Sequence, residues 1–387
     1  AELLKSFGVE PPIKESPTTG KPTFALAKND EGFIALTEHE DPFIQQLCAV
    51  RLGTKSTIEE SRIERFIDIG KRNQRRLPIP LKYYGAHTGR WAGQDKVNFQ
   101  NLPSRDKKKK TLKNAVVPHE GYVVINSDSS QIEARILAWL AGQTDVVDAF
   151  AQGRDVYSEF ATKVYGRPIS KENPIERFVG KTCILGLGYG TGAAKLQHTL
   201  KTQPPGAVVD DAEAKRIVDL YRSENDKIID LWAECDDFLG DLISWPKNKK
   251  DYYIGVHDCV TACPEGLLLP NGFYLHYPEI TRDTSEAKSR IVYKSRKGPV
   301  SVWGGSIVEN IVQALARCVI GEQMLLISKK YRPALTVHDA VVVVVEEDEL
   351  EEALAYVIEC MNTRPSWAPG LPITCEAKYG LSYGACG

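Results

Sequence analysis

The stretch LTVHDAVVVVV at 335–345 sets a polar pair, His338 and Asp339, directly against five consecutive valines. An unbroken run of β-branched residues of that length forms a buried strand. A carboxylate drawn into such a strand without a partner costs several kcal/mol. Asp339 must therefore be paired, or lie at a strand end facing water or a cation. LTV and VVVVV fit two strands of a tight hairpin with His338-Asp339 at its tip.

A second acid has the same setting. GYVVINSD (121–128) reads as a short buried strand that stops at Asp128. SSQIEARILAWLAGQ (129–143) then continues as an amphipathic helix, with Ile132, Ile136 and Leu140 at intervals of four. Ser130 and Glu133 have the spacing of a capping box, which gives Glu133 a purely structural reading. An acid at the C-terminal end of a buried strand points instead to function or to an ion pair. Two acids on two strand ends can share a divalent-cation site, and two Mg²⁺ ions about 3.5–4 Å apart are the usual device for in-line phosphoryl transfer.

ENPIERFVGKTCILGLGYGTGAAKL (172–196) supplies the third signal. Asn173 and Pro174 suit the N-cap and first position of a helix. Arg177, Lys181, Leu185 and Tyr189 follow at intervals of four, spiralling over one stripe of about 120°. Two cations, an apolar side chain and an aromatic in that order suit a nucleoside triphosphate, phosphates at the cationic end. The glycines of GLGYGTG follow a helical pattern rather than a strand, and no GK[ST] is present, so a phosphate loop or dinucleotide fingerprint does not fit.

The 387 residues carry a net charge of only −2, but the distribution is polar. Residues 51–113 hold 17 Lys plus Arg against 6 Asp plus Glu, a local +11 that leaves −13 elsewhere. Such a segment predicts a polyanion-binding surface; the KKKK run at 107–110 contributes to it but is by itself weak. Nine scattered cysteines lack zinc spacing and read as reduced core thiols. No run of about 18 uninterrupted apolar residues predicts a membrane span, and the N-terminus lacks the layout of a signal peptide. The first residue is not Met, as expected of a piece of a longer chain.

Along the chain, residues 1–40 read as loop with short helices, 41–78 as helices, and 80–118 as irregular or β. Residues 144–235 read as mainly helical. LLLPNGFYLHYPEI (267–280) is a hairpin turning at Asn-Gly, SIVENIVQALARCVIGEQMLLI (306–327) a long helix, and 346–362 an acidic helix.

At these segments the chain resembles a family A DNA polymerase, the class of bacterial DNA polymerase I, and particularly its phage-encoded members. DSSQIEAR (128–135) is similar to motif A, RFVGKTCILGLGYG (177–190) to motif B, and VHDA (337–340) to motif C, in the family's order. TGRWAGQDKVNFQNLP (88–103) resembles the family's TGR segment, and VRLGTKST (50–57), more weakly, the end of its thumb. The resemblance implies an α+β fold in a right-hand architecture, with an antiparallel palm sheet, helical fingers and a partial helical thumb. Its parts are expected at 1–60 (partial thumb), 61–143 (palm), 144–265 (fingers, the motif B helix at about 174–190) and 266–387 (palm).

The resemblance also implies roles. Asp128 and Asp339 would hold two Mg²⁺ ions, with the backbone carbonyl of Ser129 completing one shell. Arg177 and Lys181 would neutralise the triphosphate, Lys181 also serving the leaving group. Leu185 would lie against the incoming sugar and base where the family has Phe or Tyr, and Tyr189 would stack at the templating position. Glu133 would block a ribose 2′-hydroxyl, and Gln131 and Tyr157 would line the nucleotide, Tyr157 standing where bacterial relatives have a histidine. Arg90, Asn98, Gln100, Asn101, Arg135, His338 and Glu309 would contact the primer-template duplex, Glu309 in place of a glutamine. Ala340 replaces the glutamate of motif C. Such an enzyme is expected to act as a cytoplasmic monomer on primer-template DNA and dNTPs, with no membrane and no proofreading module in this chain. The alternatives are a catalytically silent DNA-binding accessory, a single-subunit RNA polymerase (against which Glu133 speaks) and a two-metal nuclease.

Overall fold

A computed structural model of the chain describes residues 1–15, 21–27, 30–54, 57–72, 74, 76–95, 97–102, 111–285, 289–296 and 298–386. The basic run at 107–110 lies outside the described residues. The chain divides into two compact units, Ala1–Leu77 and Pro78–Gly387.

The first unit pairs Ile13–Glu15 with Pro22–Phe24 in an antiparallel hairpin. Its helices include Glu31–Thr37, Pro42–Thr54 and Thr57–Arg72, the last two where helical spacing predicts them. Leu4, Leu26, Phe33, Leu36, Ile44 and Cys48 form its core. The boundary expected at 60/61 falls inside the helix Thr57–Arg72, which contains no Pro or Gly near that point to break it.

In the second unit, strand β1 (Tyr122–Ser129) leads through Gln131, at φ +48°, into helix α1 (Ile132–Ala141). Helices α2 (Val156–Tyr165), α3 (Pro174–Leu187) and α4 (Asp226–Ile243) follow. The Asn-Gly hairpin forms as predicted, Gly266–Leu268 against Tyr274–Leu275, with Gly272 at φ +79° in the turn. It belongs to a small four-stranded sheet that begins at Tyr252, so the boundary expected at 265/266 cuts a hairpin. Helix α5 (Gly304–Ile327), strands β2 (Pro333–Val337) and β3 (Ala340–Glu346), helix α6 (Leu350–Asn362) and strand β4 (Cys375–Gly380) complete the unit.

The strands β2-β3-β1-β4 form one antiparallel sheet in that order. Residues directly opposite share a face. Val123, Ile125, Val341, Val343 and Val345 therefore turn to one side, where they pack on Ile320 and Ile327 of α5 and Ala353 and Val357 of α6. Asn126, Asp128, Ala340, Glu376 and Lys378 turn to the other. Helix α5 is long and apolar enough to cross a membrane by length and composition, yet Ile307, Ile311, Leu315 and Val319 are fully buried against α1 and α4. All nine cysteines are free, eight of them buried and Cys375 half-buried.

Candidate active site

The valine strand places its acid by register. Val337 pairs with Ala340, so β2 and β3 are joined by the two-residue turn His338-Asp339. His338 takes φ +52°, the left-handed conformation that a two-residue hairpin turn demands. Ala340 lies directly across from Asp128, and the Ser129 N–H donates to the Asp339 carbonyl at 3.0 Å. Two acids about two hundred positions apart in sequence thus meet at the end of one sheet. In a strand a residue's N–H and C=O point the same way, so the Ser129 carbonyl also faces the hairpin tip. The Ser129 side chain is buried on the core face.

Burial raises the Asp128 carboxyl to about 6, and the negative charges of Asp339 and Glu376 add to the effect; Lys113 opposes it. Burial also raises Asp339, with Glu133 adding to it and its own N–H, Arg90 and His338 opposing. Hard oxygen donors with uncompensated negative charge suit Mg²⁺. Among the described residues no three His, Cys, Asp or Glu side chains close a cage. Mg²⁺ keeps several waters and takes only one or two carboxylates from a protein, a number that Asp128 and Asp339 can supply. Protons compete with a cation for these groups. For a group near 6, Mn²⁺ affinity measured by titration is expected to fall about tenfold from pH 7 to pH 5, where an ordinary carboxylate would show almost no change.

The hairpin tip is clamped from the TGR segment. The Gln100 Nε2 donates to the Thr336 carbonyl at 2.9 Å, and its Oε1 accepts from the His338 N–H at 2.7 Å. Each end of this amide bonds backbone, so Gln100, expected on the duplex, also clamps the hairpin. Asn98 caps the turn Phe99–Asn101 by accepting from the Gln100 N–H at 3.0 Å, and Asn101 is exposed. Arg90 is paired with Glu133. The expected capping box is absent: the N-cap of α1 is Gln131, and no side chain caps it. Glu133 therefore faces Arg90 and the site. Glu309, half-buried, accepts from Gln313 at 3.1 Å, and its carboxyl is raised by burial and by Glu133.

Helix α3 starts at Pro174 after Asn173, as predicted, but ends at Leu187. Arg177, Lys181 and Leu185 form the stripe, Leu185 being 40% exposed. Tyr189 leaves the helix and is half-buried against the core; burial, then Glu133 and Glu309, push its hydroxyl well above the usual range. The following Gly190, at φ +78°, is covered by the Trp303 indole, 1.9 Å from where a Cβ would sit.

A cavity of about 270 Å³ opens between α3, α2 and the edge strand β4. Arg177, Arg154, Lys171, Tyr157, Gln131 and Glu376 are among the residues lining it. It is smaller than a typical pocket for a whole ligand, but it has the charge to take the phosphate end of one. The Arg177 guanidinium grips Asp155 through two bonds, 2.7 and 3.2 Å, and lies 5.4 Å over the Tyr157 ring. Burial would raise Asp155, but the Arg177 and Ser158 hydrogen bonds outweigh it and hold the carboxyl low. Burial pushes the Tyr157 hydroxyl up to about 12.

Arg135 corrects an expectation. It is 5% exposed and donates to the carbonyls of Ser130, Phe150 and Pro372 and to the Gln131 side chain. It ties the β1–α1 turn to its surroundings rather than reaching DNA. Asp155 and Glu376 were not singled out by sequence reasoning. Asp155 carries a local signal, since it caps α2 through Ser158; Glu376 carries none.

The model of the family described as DNA polymerase family A matches residues 8–240. A DNA polymerase of Bacillus phage SP02 is 31% identical over 339 residues, 76% of this chain and 51% of the phage protein. The thermostable DNA polymerase I of Thermus aquaticus is 30% identical over 198 residues, 51% of this chain and 23% of that protein. The chain thus spans about half the length of the phage relative. A solved structure of the POL domain of Pol1 from M. smegmatis, in complex with DNA primer-template and dNTP, shares the fold. Its TM-score is 0.73 at 24% identity, over 99% of this chain and 60% of that one.

Proposed function

Because this chain belongs to DNA polymerase family A, we propose that it is a template-directed DNA polymerase. It adds dNTPs to a primer 3′-hydroxyl as a monomer, and serves phage genome replication in the host cytoplasm. The observation that carries this reading is the strand register, which sets Asp128 beside the Asp339 turn.

Asp128, Asp339 and the Ser129 carbonyl would hold two Mg²⁺ ions. When bound, such ions lower the pKa of the attacking hydroxyl and neutralise the triphosphate and leaving pyrophosphate. The remaining work belongs to this chain's own side chains. Arg177, held in place by Asp155 through Nε and Nη2 before any anion arrives, presents its remaining N–H groups to the phosphates. Lys181, one turn along α3, places a proton at the leaving group. Leu185 lies against the sugar and base, and Tyr189 ends the stripe beside the template. Glu133, fixed by Arg90, walls off the position a 2′-hydroxyl would take. Gln131 and Tyr157 line the triphosphate, and Asn98, Asn101, His338 and Glu309 face the duplex.

The test is primer extension with Mg²⁺ on a defined template, comparing dNTPs with rNTPs. Extension with dNTPs in strong preference is expected. No extension by a folded chain that binds primer-template would leave the silent accessory, and equal use of rNTPs would leave an RNA polymerase. Leu185 departs from the ring its family carries, so Leu185→Tyr is expected to change the dNTP-to-ddNTP incorporation ratio at least several-fold. An unchanged ratio rules out contact of that side chain with the sugar.

A further inference from the structure

Resting on the polymerase reading above, we propose that Glu376 is a third carboxylate of the metal site, acting on the cation beside Asp128 through an intervening water. It stands in for the acid that is missing at Ala340.

The register carries the proposal. Asp128 is the middle of three residues directly abreast: Ala340 on β3 to one side and Glu376 on β4 to the other. Side chains abreast on neighbouring strands lie on one face, their Cβ atoms about 4.5–5.5 Å apart. That face is the one carrying Asp128, not the one packed on α5 and α6. VHDA lacks the acid that would stand on the hairpin side of Asp128. The only acid abreast of Asp128 is now on its opposite flank.

Glu376 is also placed with the nucleotide. Its side chain is exposed and lines the same cavity as Arg177, Tyr157 and Gln131. An anion there opposes a bare triphosphate, and it is favourable only with a cation between the two. The described acids do not close a three-carboxylate cage, and the proposed link from Glu376 to the cation runs through a water. Groups that orient a metal's shell in this way contribute about 10–100-fold to its affinity.

The experiment is Mn²⁺ binding by electron paramagnetic resonance to the whole chain with primer-template and a non-hydrolysable dNTP analogue. It is run on wild type, Glu376→Gln and Glu376→Asp, at low and high KCl, with melting curves confirming the fold. Glu376→Gln keeps the size and the exposed strand position, so folding is expected to be unchanged. Its Mn²⁺ affinity is expected to fall about tenfold or more, the loss persisting at high salt, with Glu376→Asp intermediate. An unchanged affinity, or a loss that vanishes at high salt as simple charge attraction would, overturns the proposal. Wild type that binds Mn²⁺ and extends primers alongside an unaffected Glu376→Gln defeats this inference alone. Wild type that does neither defeats the polymerase reading on which it rests.

Discussion

Asp339→Asn is expected to lower single-turnover nucleotide incorporation by roughly a thousandfold or more, a barrier increase of about 4 kcal/mol. The substitution keeps the side chain's size and its place in the two-residue turn, and it removes the charge that would hold a cation. Primer-template affinity, measured by fluorescence anisotropy, should stay within about threefold, because the hairpin is still clamped by Gln100. Stability is expected to move the other way. The folded-state pKa of Asp339 is raised by burial. Its contribution to stability is therefore fully present below the ordinary carboxylate range and lost as pH rises through the raised value. At pH 8 without metal the asparagine variant, which never ionises, should melt at a higher temperature than wild type. A variant that melts lower, or that retains incorporation, would show that the acid serves the fold rather than the chemistry.

Gly180→Ala should produce a large effect for a single methyl group added to α3. A Cβ at Gly180 would lie 2.1 Å from the Tyr157 carbonyl oxygen and 3.0 Å from the Ala161 methyl. Helices α2 and α3 pack this closely only because the residue has no side chain. Helix propensity alone would favour alanine by about 1 kcal/mol. Overpacking costs about 1–3 kcal/mol or more, so a clear fall in melting temperature is expected. Forcing α3 outward also carries Arg177 away from Asp155 and the cavity, and a shift of about 1 Å can cost about 10²-fold in rate. Thermal melts and single-turnover incorporation check both parts. A variant with unchanged melting and unchanged rate would mean that α3 adjusts without cost.

The elements were legible where a local period dominates. The five valines and the GYVVINSD stretch form strands because β-branched residues in a row have one favourable use. The Pro174 start of α3 followed from a residue that cannot sit deeper in a helix. The stop at Leu187 was not legible, because the apolar and aromatic spacing continues to Tyr189 while the packing of Trp303 over Gly190 turns the chain away. The capping-box reading of Glu133 failed for a related reason. Arg90, 43 positions upstream, competes for the carboxylate, and a local rule does not see it. Arg135 and Gln100 show the same limit. Each has the chemistry to meet DNA, and each is held by backbone carbonyls or amides from distant segments.

By itself, then, the sequence determined that two acids would stand at strand ends and that two cations and an apolar side chain would share a helix face. Those features depend on neighbours within a few residues. Only the tertiary structure decided that the two acids meet, that Ala340 and Glu376 flank Asp128, and that Gln100 holds the hairpin. Pairing between strands fixes the first two, where a register shift of one residue would turn those side chains to the opposite face; the Gln100 clamp joins segments 236 residues apart, which no local pattern shows.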